Sequence, residues 1–314
     1  MQTTHSVLMV RPAAFKGNPE TRLSNSFQKT LSQVPDVAEL ARTAFDGYVT
    51  ALEEAGVNVK VIDEDTARDT PDSLFPNNWI AMMGDGTIYT FPMEAKNRRR
   101  ERRQDIIADL TQDYIVNRRI DLSVFEEKGL YLEGTGSLIL DHDHRIAYAC
   151  RSSRSSEVAA KEFERISGYR MHWFNAYDRH QQPVYHTNVM MSLGKKYAIV
   201  CLESLSSGAE RQRLLASLQR TGKEVIDVTW RQMEAFVCNV IELKDCHGQP
   251  VYAMSGRAWA SFTPEQQQKI SDYARLALAP IDIIEDLGGG GARCMVAEIF
   301  LEKKMPVPET CNHY

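Results

Sequence analysis

An α/β propeller of five modules, each about 54 residues long, is the fold this sequence predicts. Three observations predict it. A β-hairpin followed by a helical stretch recurs along the chain. A polar residue opens each hairpin at a near-constant spacing, and the two ends of the chain supply the parts of one further module.

The elements follow in order. Val7–Arg11 is an apolar strand, and Asp36–Ala55 reads as a helix. WIAMMGDGTIYTFPM turns at Gly84-Asp85-Gly86 and precedes the helical candidate Arg98–Val116. LYLEGTGSLILDHDHRIAYAC turns at Asp141–His144 and precedes Ser155–Ser167. HTNVMMSLGKKYAIVCL turns at Gly194-Lys195 and precedes Ser207–Thr221, where Ser207 and Glu210 stand as a capping box. FVCNVIELKDCHGQPVYAMS turns near Asp245–Gly248 and precedes Thr263–Ala277, whose Thr-Pro-Glu is a good helix start. Polar Gly/Asp turns between β-rich runs are the signal for each hairpin. A last strand, Cys294–Leu301, pairs with Val7–Arg11 to close the ring. The polar residues at the module starts are Asn78, Glu133, His186, Asn239 and Cys294, with separations of 55, 53, 53 and 55. In a propeller the starts of the first strands converge near the axis, so Asn78, Glu133, His186 and Cys294 are expected together.

Composition narrows the classes. The chain has 314 residues, 43% of them hydrophobic and 25% charged, with a net charge of −5. That balance is globular, and its acidity disfavours nucleic-acid binding. No basic segment with an apolar run behind it opens the sequence, and no window approaches the ~20 apolar residues of a membrane span. Six cysteines, at positions 150, 201, 238, 246, 294 and 311, include no CxxC pair, so neither a disulfide framework nor a zinc site is expected. A cytoplasmic protein is the expectation.

The candidates each carry two readings. Cys294 follows Gly288–Gly291 directly: it is a buried strand-start cysteine, or a nucleophile whose thiolate or oxyanion the neighbouring N–H groups stabilise. The glycines are no phosphate loop, because no Lys-Ser/Thr follows and a strand comes next. Of the eight histidines, His186 stands in a strand with Asn188 on its face two residues on, while His313 and most others fall at termini, turns or loops. Its readings are a core histidine or a catalytic one, and the repeat position favours catalysis. Glu133 is an acid in an apolar strand, hence paired, functional or at an exposed strand end. PDSLFPNNW contributes Asp72 and Asn78. The run NRRRERR and Arg154 are solvated cations or grips for a small carboxylate.

With these residues collected, the sequence resembles the guanidine-modifying, amidinotransferase-like superfamily, whose members adopt the five-bladed α/β-propeller called the pentein fold. The matching stretches are MVRPAAFKGNPETRLSNSFQ, PDSLFPNNW, NRRRERR, LEGTG, SSRSS, HTNV and GGGGARCMVAEI, in that order over nearly the whole chain. The resemblance is strongest to the bacterial branch that includes citrulline-utilization hydrolases. It extends to dimethylarginine dimethylaminohydrolases, arginine deiminases and succinylarginine dihydrolases. It implies one catalytic domain over residues 1–314, with Cys294 as nucleophile, His186 as general acid/base and Glu133 as the acid holding the reacting nitrogens. Asp72 would position the substrate. Arg98 or Arg99, with Arg154, would grip its carboxylate, and Arg11 and Asn18 belong to the N-terminal motif without an assigned role. No metal or organic cofactor is implied, and the oligomeric state is left open.

Two departures bear on the substrate. Deiminases place carboxylates where this chain has Asn78 and Asn188. A cationic guanidinium favours anions around it, whereas an amide can both donate to and accept from a neutral ureido group. Citrulline, cleaved to ornithine, ammonia and carbon dioxide through a covalent Cys294 adduct, is therefore the expected substrate. Rival readings are chemistry on a true guanidine and a non-enzymatic pentein that binds a large partner.

Overall fold

The computed structural model describes residues 1–22, 24–29 and 35–304; Cys311 and His313 lie outside them. The described residues form five three-stranded sheets of one design. In each, an inner strand runs antiparallel to a middle strand, and the middle strand runs parallel to an outer strand reached through a helix. The inner, middle and outer strands are Ile80–Met82, Thr87–Thr90 and Arg118–Asp121, then Ile139–Asp141, Ile146–Cys150 and Arg170–Phe174. Met191–Leu193, Tyr197–Val200 and Glu224–Asp227 follow, and then Ile241–Lys244, Pro250–Ser255 and Arg275–Ala279. The fifth sheet closes the ring between the two ends of the chain: Ala297–Glu298 pairs antiparallel with Ser6–Arg11, which runs parallel to Asn58–Asp63. This is the pentein propeller. No helix among the described residues is long and apolar enough to cross a membrane.

The four expected hairpin turns form where glycine and aspartate place them. The helices also start where capping residues stand. Ser156 and Ser207 accept from the N–H groups of Ala159 and Glu210, and Thr263 forms a full capping box with Gln266. Only half of the box expected at Ser207 forms, because the Glu210 carboxylate turns to the backbone and side-chain amides of Asn175. The helices wedge between sheets. In Val37–Glu54, Ala41, Ala44, Phe45, Tyr48 and Leu52 make one apolar stripe, packed in a core with Ala277, Ala279 and Ile284. Each large side chain buried in this way is worth about 1.5–3 kcal/mol.

The structure corrects the element reading at five places. Glu133 is not in a strand: it stands at the head of the single-turn helix Gly134–Ser137. The helix expected over Thr263–Ala277 ends at Ser271, and the alternation Arg-Leu-Ala-Leu-Ala of residues 275–279 forms an outer strand instead. Arg98–Val116 divides into a 3-10 segment, Asn97–Glu101, and the helix Gln104–Asp113, because Arg103 is extended between them. His186 is not in a strand: it caps the single-turn helix Thr187–Met190, so Asn188 reaches the site from a helical turn. Cys294 likewise precedes the last inner strand, which is only Ala297–Glu298.

Candidate active site

The five module-start residues sit in short turns that lead into the inner strands. Asn78 ends the 3-10 segment Pro76–Asn78, Glu133 and His186 cap single-turn helices, and Asn239 and Cys294 occupy turns. Two hydroxyls fasten these turns together. The Ser137 hydroxyl accepts from the Glu133 N–H and donates to the Arg154 carbonyl, while the Thr187 hydroxyl donates to the Ser137 carbonyl at 2.6 Å. Glu133, Arg154 and His186 are thereby held in one frame.

A small cleft lies over this frame. Its lining includes Asp72, Asn78, Arg98, Arg154, His186 and Cys294. Tyr185, Phe75 and Gly288–Gly290 form another wall, and Thr21 and Asn25 of the N-terminal segment reach it too.

The Cys294 sulfur is buried and receives two amide N–H groups, Nδ2 of Asn239 at 3.2 Å and Nδ2 of Asn188 at 3.3 Å. Burial raises its pKa, and the two amides work against that rise. Nε2 of His186 lies 2.8 Å from Oε2 of Glu133. Burial pushes the imidazole down to about 4, although Glu133 opposes the shift. Burial would raise Glu133, but Arg154, His186 and Arg98 outweigh it and hold the carboxyl below its usual range. At neutral pH the pair is a carboxylate facing a neutral imidazole. Glu133 Oε1 also accepts from the Glu94 N–H at 2.9 Å.

The two buried arginines differ in their partners. Arg98 binds Glu101 bidentately at 2.9 and 3.0 Å, donates to Asn78 Oδ1 at 2.8 Å and lies 3.6 Å from Asp72. Arg154 donates to the Ser24 hydroxyl at 2.6 Å, faces Glu133 at 3.6 Å and stacks on the Tyr185 ring. Two buried acceptors close to the cysteine and the buried arginines have no hydrogen-bond partner among the described residues: Oδ1 of Asp72 and Oδ1 of Asn188. Buried polar atoms in native proteins generally find partners, and of this pair Asp72 lines the cleft. Burial also raises the Asp72 carboxyl above its usual value.

Other expected site residues lie elsewhere. Arg99 turns from the cleft to the carbonyls of Met93 and Glu94, which leaves Arg98 as the inward arginine of the run. Arg11 pairs with Asp46 on the neighbouring helix and does not line the cleft. Asn18 is buried behind Asp72, to which its Nδ2 donates at 2.7 Å, so it orients that acid. The glycine run is packed rather than open. Gly289 takes a left-handed conformation (φ 64°) to end the helix Asp282–Gly288, and a Cβ on Gly290 would stand 2.9 Å from Phe75 and 3.2 Å from the Cys294 Cβ. Tyr185 and Asn239 were not foreseen as site residues. Only Asn239 carried a sequence signal, its place in the 54-residue spacing.

The fold has counterparts in known proteins. A family model described as N,N dimethylarginine dimethylhydrolase, eukaryotic, matches residues 11–301. Among solved structures, the product-bound N-terminal domain of ArgZ, an arginine dihydrolase of cyanobacteria, is 14% identical with a TM-score of 0.72 over 94% of this chain and 97% of that one. The chain spans only 40% of full-length ArgZ, at 13% identity over 97% of its own length and a TM-score of 0.67. A dimethylarginine dimethylaminohydrolase bearing an S-methyl-L-thiocitrulline adduct is 16% identical with a TM-score of 0.62, covering 95% of this chain and 100% of that one. No curated protein matches the sequence significantly. The chain belongs to the N,N dimethylarginine dimethylhydrolase family of the pentein superfamily, a family of hydrolases acting on C–N bonds of guanidino compounds.

Proposed function

We propose that residues 1–314 act as one catalytic unit that hydrolyses the C–N bonds of a small ureido or guanidino amino acid through a covalent adduct on Cys294. The observation that carries this reading is the joining of a buried, amide-held thiol, a histidine–glutamate pair and two arginines around one small cleft. The thiol and imidazole rest neutral. As the sulfur attacks the central carbon, its proton passes to His186, and the Glu133 carboxylate stabilises the imidazolium. His186 returns the proton to the leaving amine and then activates water against the thioester-like adduct. Asp72 and Asn188 accept N–H groups of the substrate, and Arg154 with Arg98 faces its carboxylate.

Citrulline is the substrate we favour, because neutral amides stand at two positions where a guanidinium would favour carboxylates: Asn78, which lines the cleft, and Asn188, which donates to the Cys294 sulfur. Attack expels ammonia. Water then releases the carbamate of ornithine, which loses carbon dioxide. A second reading, a true guanidine such as arginine or dimethylarginine, is favoured by the family match over residues 11–301 and by the buried Asp72 carboxylate. Separate incubations with citrulline, arginine and dimethylarginine, with ammonia and ornithine measured, distinguish the two. Ornithine from citrulline is expected, and citrulline left intact while arginine is consumed would overturn the ureido assignment. Cys294→Ala should abolish turnover of any of the three and block labelling by a haloacetamidine probe.

A further inference from the structure

Four of the five module-start residues have a part in the chemistry above, and the fifth, Asn239, has none. It nonetheless bonds both the Cys294 sulfur and the backbone of the turn that carries it. Its Nδ2 donates to the Cys294 sulfur at 3.2 Å and to the Asn188 carbonyl at 3.0 Å. Its Oδ1 accepts from the N–H of Gly291 at 3.1 Å and from the N–H of Cys294 itself at 3.3 Å. One amide thus clamps the turn carrying the cysteine, holds the sulfur, and ties both to the turn carrying Asn188. The residue is 1% exposed, so these bonds do not compete with water.

We propose that Asn239 is a positioning residue that fixes the Cys294 sulfur in its attacking place and favours the thiolate over the thiol. This rests on the reading of Cys294 as nucleophile. The chemistry follows from donor polarity: an N–H aimed at sulfur gains strength when the sulfur becomes anionic. Asn188 supplies a second such donor, but its side-chain Oδ1 has no protein partner among the described residues. Both polar ends of Asn239 are committed to protein groups. The other titratable or charged groups facing the sulfur are Tyr48, Tyr185 and Arg293, with His186 across the cleft.

Asn239→Asp keeps the acceptor that binds the two N–H groups and replaces the donor to sulfur with oxygen. The test is the rate of iodoacetamide alkylation of Cys294 against pH, followed on the Cys294 peptide so that exposed Cys246 does not contribute. The midpoint should rise by about one to two pH units in Asn239→Asp, the size expected for losing one hydrogen bond to an ion. Asn239→Ala should raise it less, and the kcat of both variants should fall while KM changes little. An unchanged midpoint in an Asn239→Asp protein whose melting temperature matches the parent would overturn the proposal. Failure of Cys294→Ala to abolish turnover would instead sink the nucleophile reading, and the alkylation midpoints would still report on Asn239.

Discussion

Nε2 of His186 meets Oε2 of Glu133 at 2.8 Å, and both side chains are shut off from solvent. Burial alone would discharge both groups. The two arginines behind Glu133 keep it ionised, so the pair holds one negative charge poised beside a neutral base.

Glu133→Gln tests that arrangement. The glutamine can still accept from Nε2–H, but it cannot stabilise an imidazolium. We expect kcat to fall by about 10²- to 10³-fold, the scale of losing general acid–base help. The acid limb of kcat/KM should move below its parental position, because Glu133 is what raises the His186 pKa from its desolvated value. A parental plateau and an unmoved limb would remove Glu133 from the mechanism.

Arg98 and Glu101 form a buried bidentate pair, and each is nearly inaccessible. Arg98→Met should destabilise the protein by about 3–5 kcal/mol, because it strands a buried carboxylate. The double variant Arg98→Met/Glu101→Met should recover much of that loss in thermal melts. Activity should not recover with it, since Arg98 also lines the cleft. Arg11→Ala, which breaks only the outlying pair with Asp46, should leave kcat/KM within about twofold of the parent.

Much of this frame was legible in the sequence, and what was not has physical causes. The hairpin turns and helix starts are local signals carried by Gly, Asp, Ser and Thr, and they were read correctly at Gly84–Gly86, Ser207 and Thr263. The spacing of Asn78, Glu133, His186, Asn239 and Cys294 survives because each module must return the chain to the axis. The outer strand Arg118–Asp121 escaped because Arg-Arg-Ile-Asp is a short, charged edge, where a solvated face erases the apolar run. Arg98 and Arg99 could not be told apart, because which neighbour faces inward depends on a 3-10 segment with no sequence mark of its own. Arg11 entered the candidates through the N-terminal motif alone, because nothing local marks its partner Asp46, 35 residues away.

Gly290 gives the glycine run a sharp test. An added Cβ would stand 2.9 Å from the Phe75 ring and 3.2 Å from the Cβ of Cys294, so something must shift. A displacement of the thiol by a fraction of an ångström lowers turnover more than it lowers stability. Gly290→Ala should therefore lose at least about tenfold in kcat. Its melting temperature should stay within about 8 °C of the parent. An active Gly290→Ala enzyme would mean that Phe75 yields and the sulfur does not move.

Glu285 lies under the same run, in the helix Asp282–Gly288, and neither carboxylate oxygen has a hydrogen-bond partner among the described residues. Burial pushes its pKa up to about 7, against Ser255 and Arg257, whose Nε is 3.4 Å away. The sign follows directly. Below the ordinary glutamate value both folded and unfolded chains hold the proton. Between that value and about 7 only the folded chain holds it, so this contribution to stability is lost as pH rises through the window and is constant above it. Glu285→Gln keeps the shape without the ionisation. We expect its melting temperature to exceed that of the parent at pH 8 and to approach it at pH 5. Equal melting temperatures at both values would show that Arg257 and its neighbours already compensate the charge.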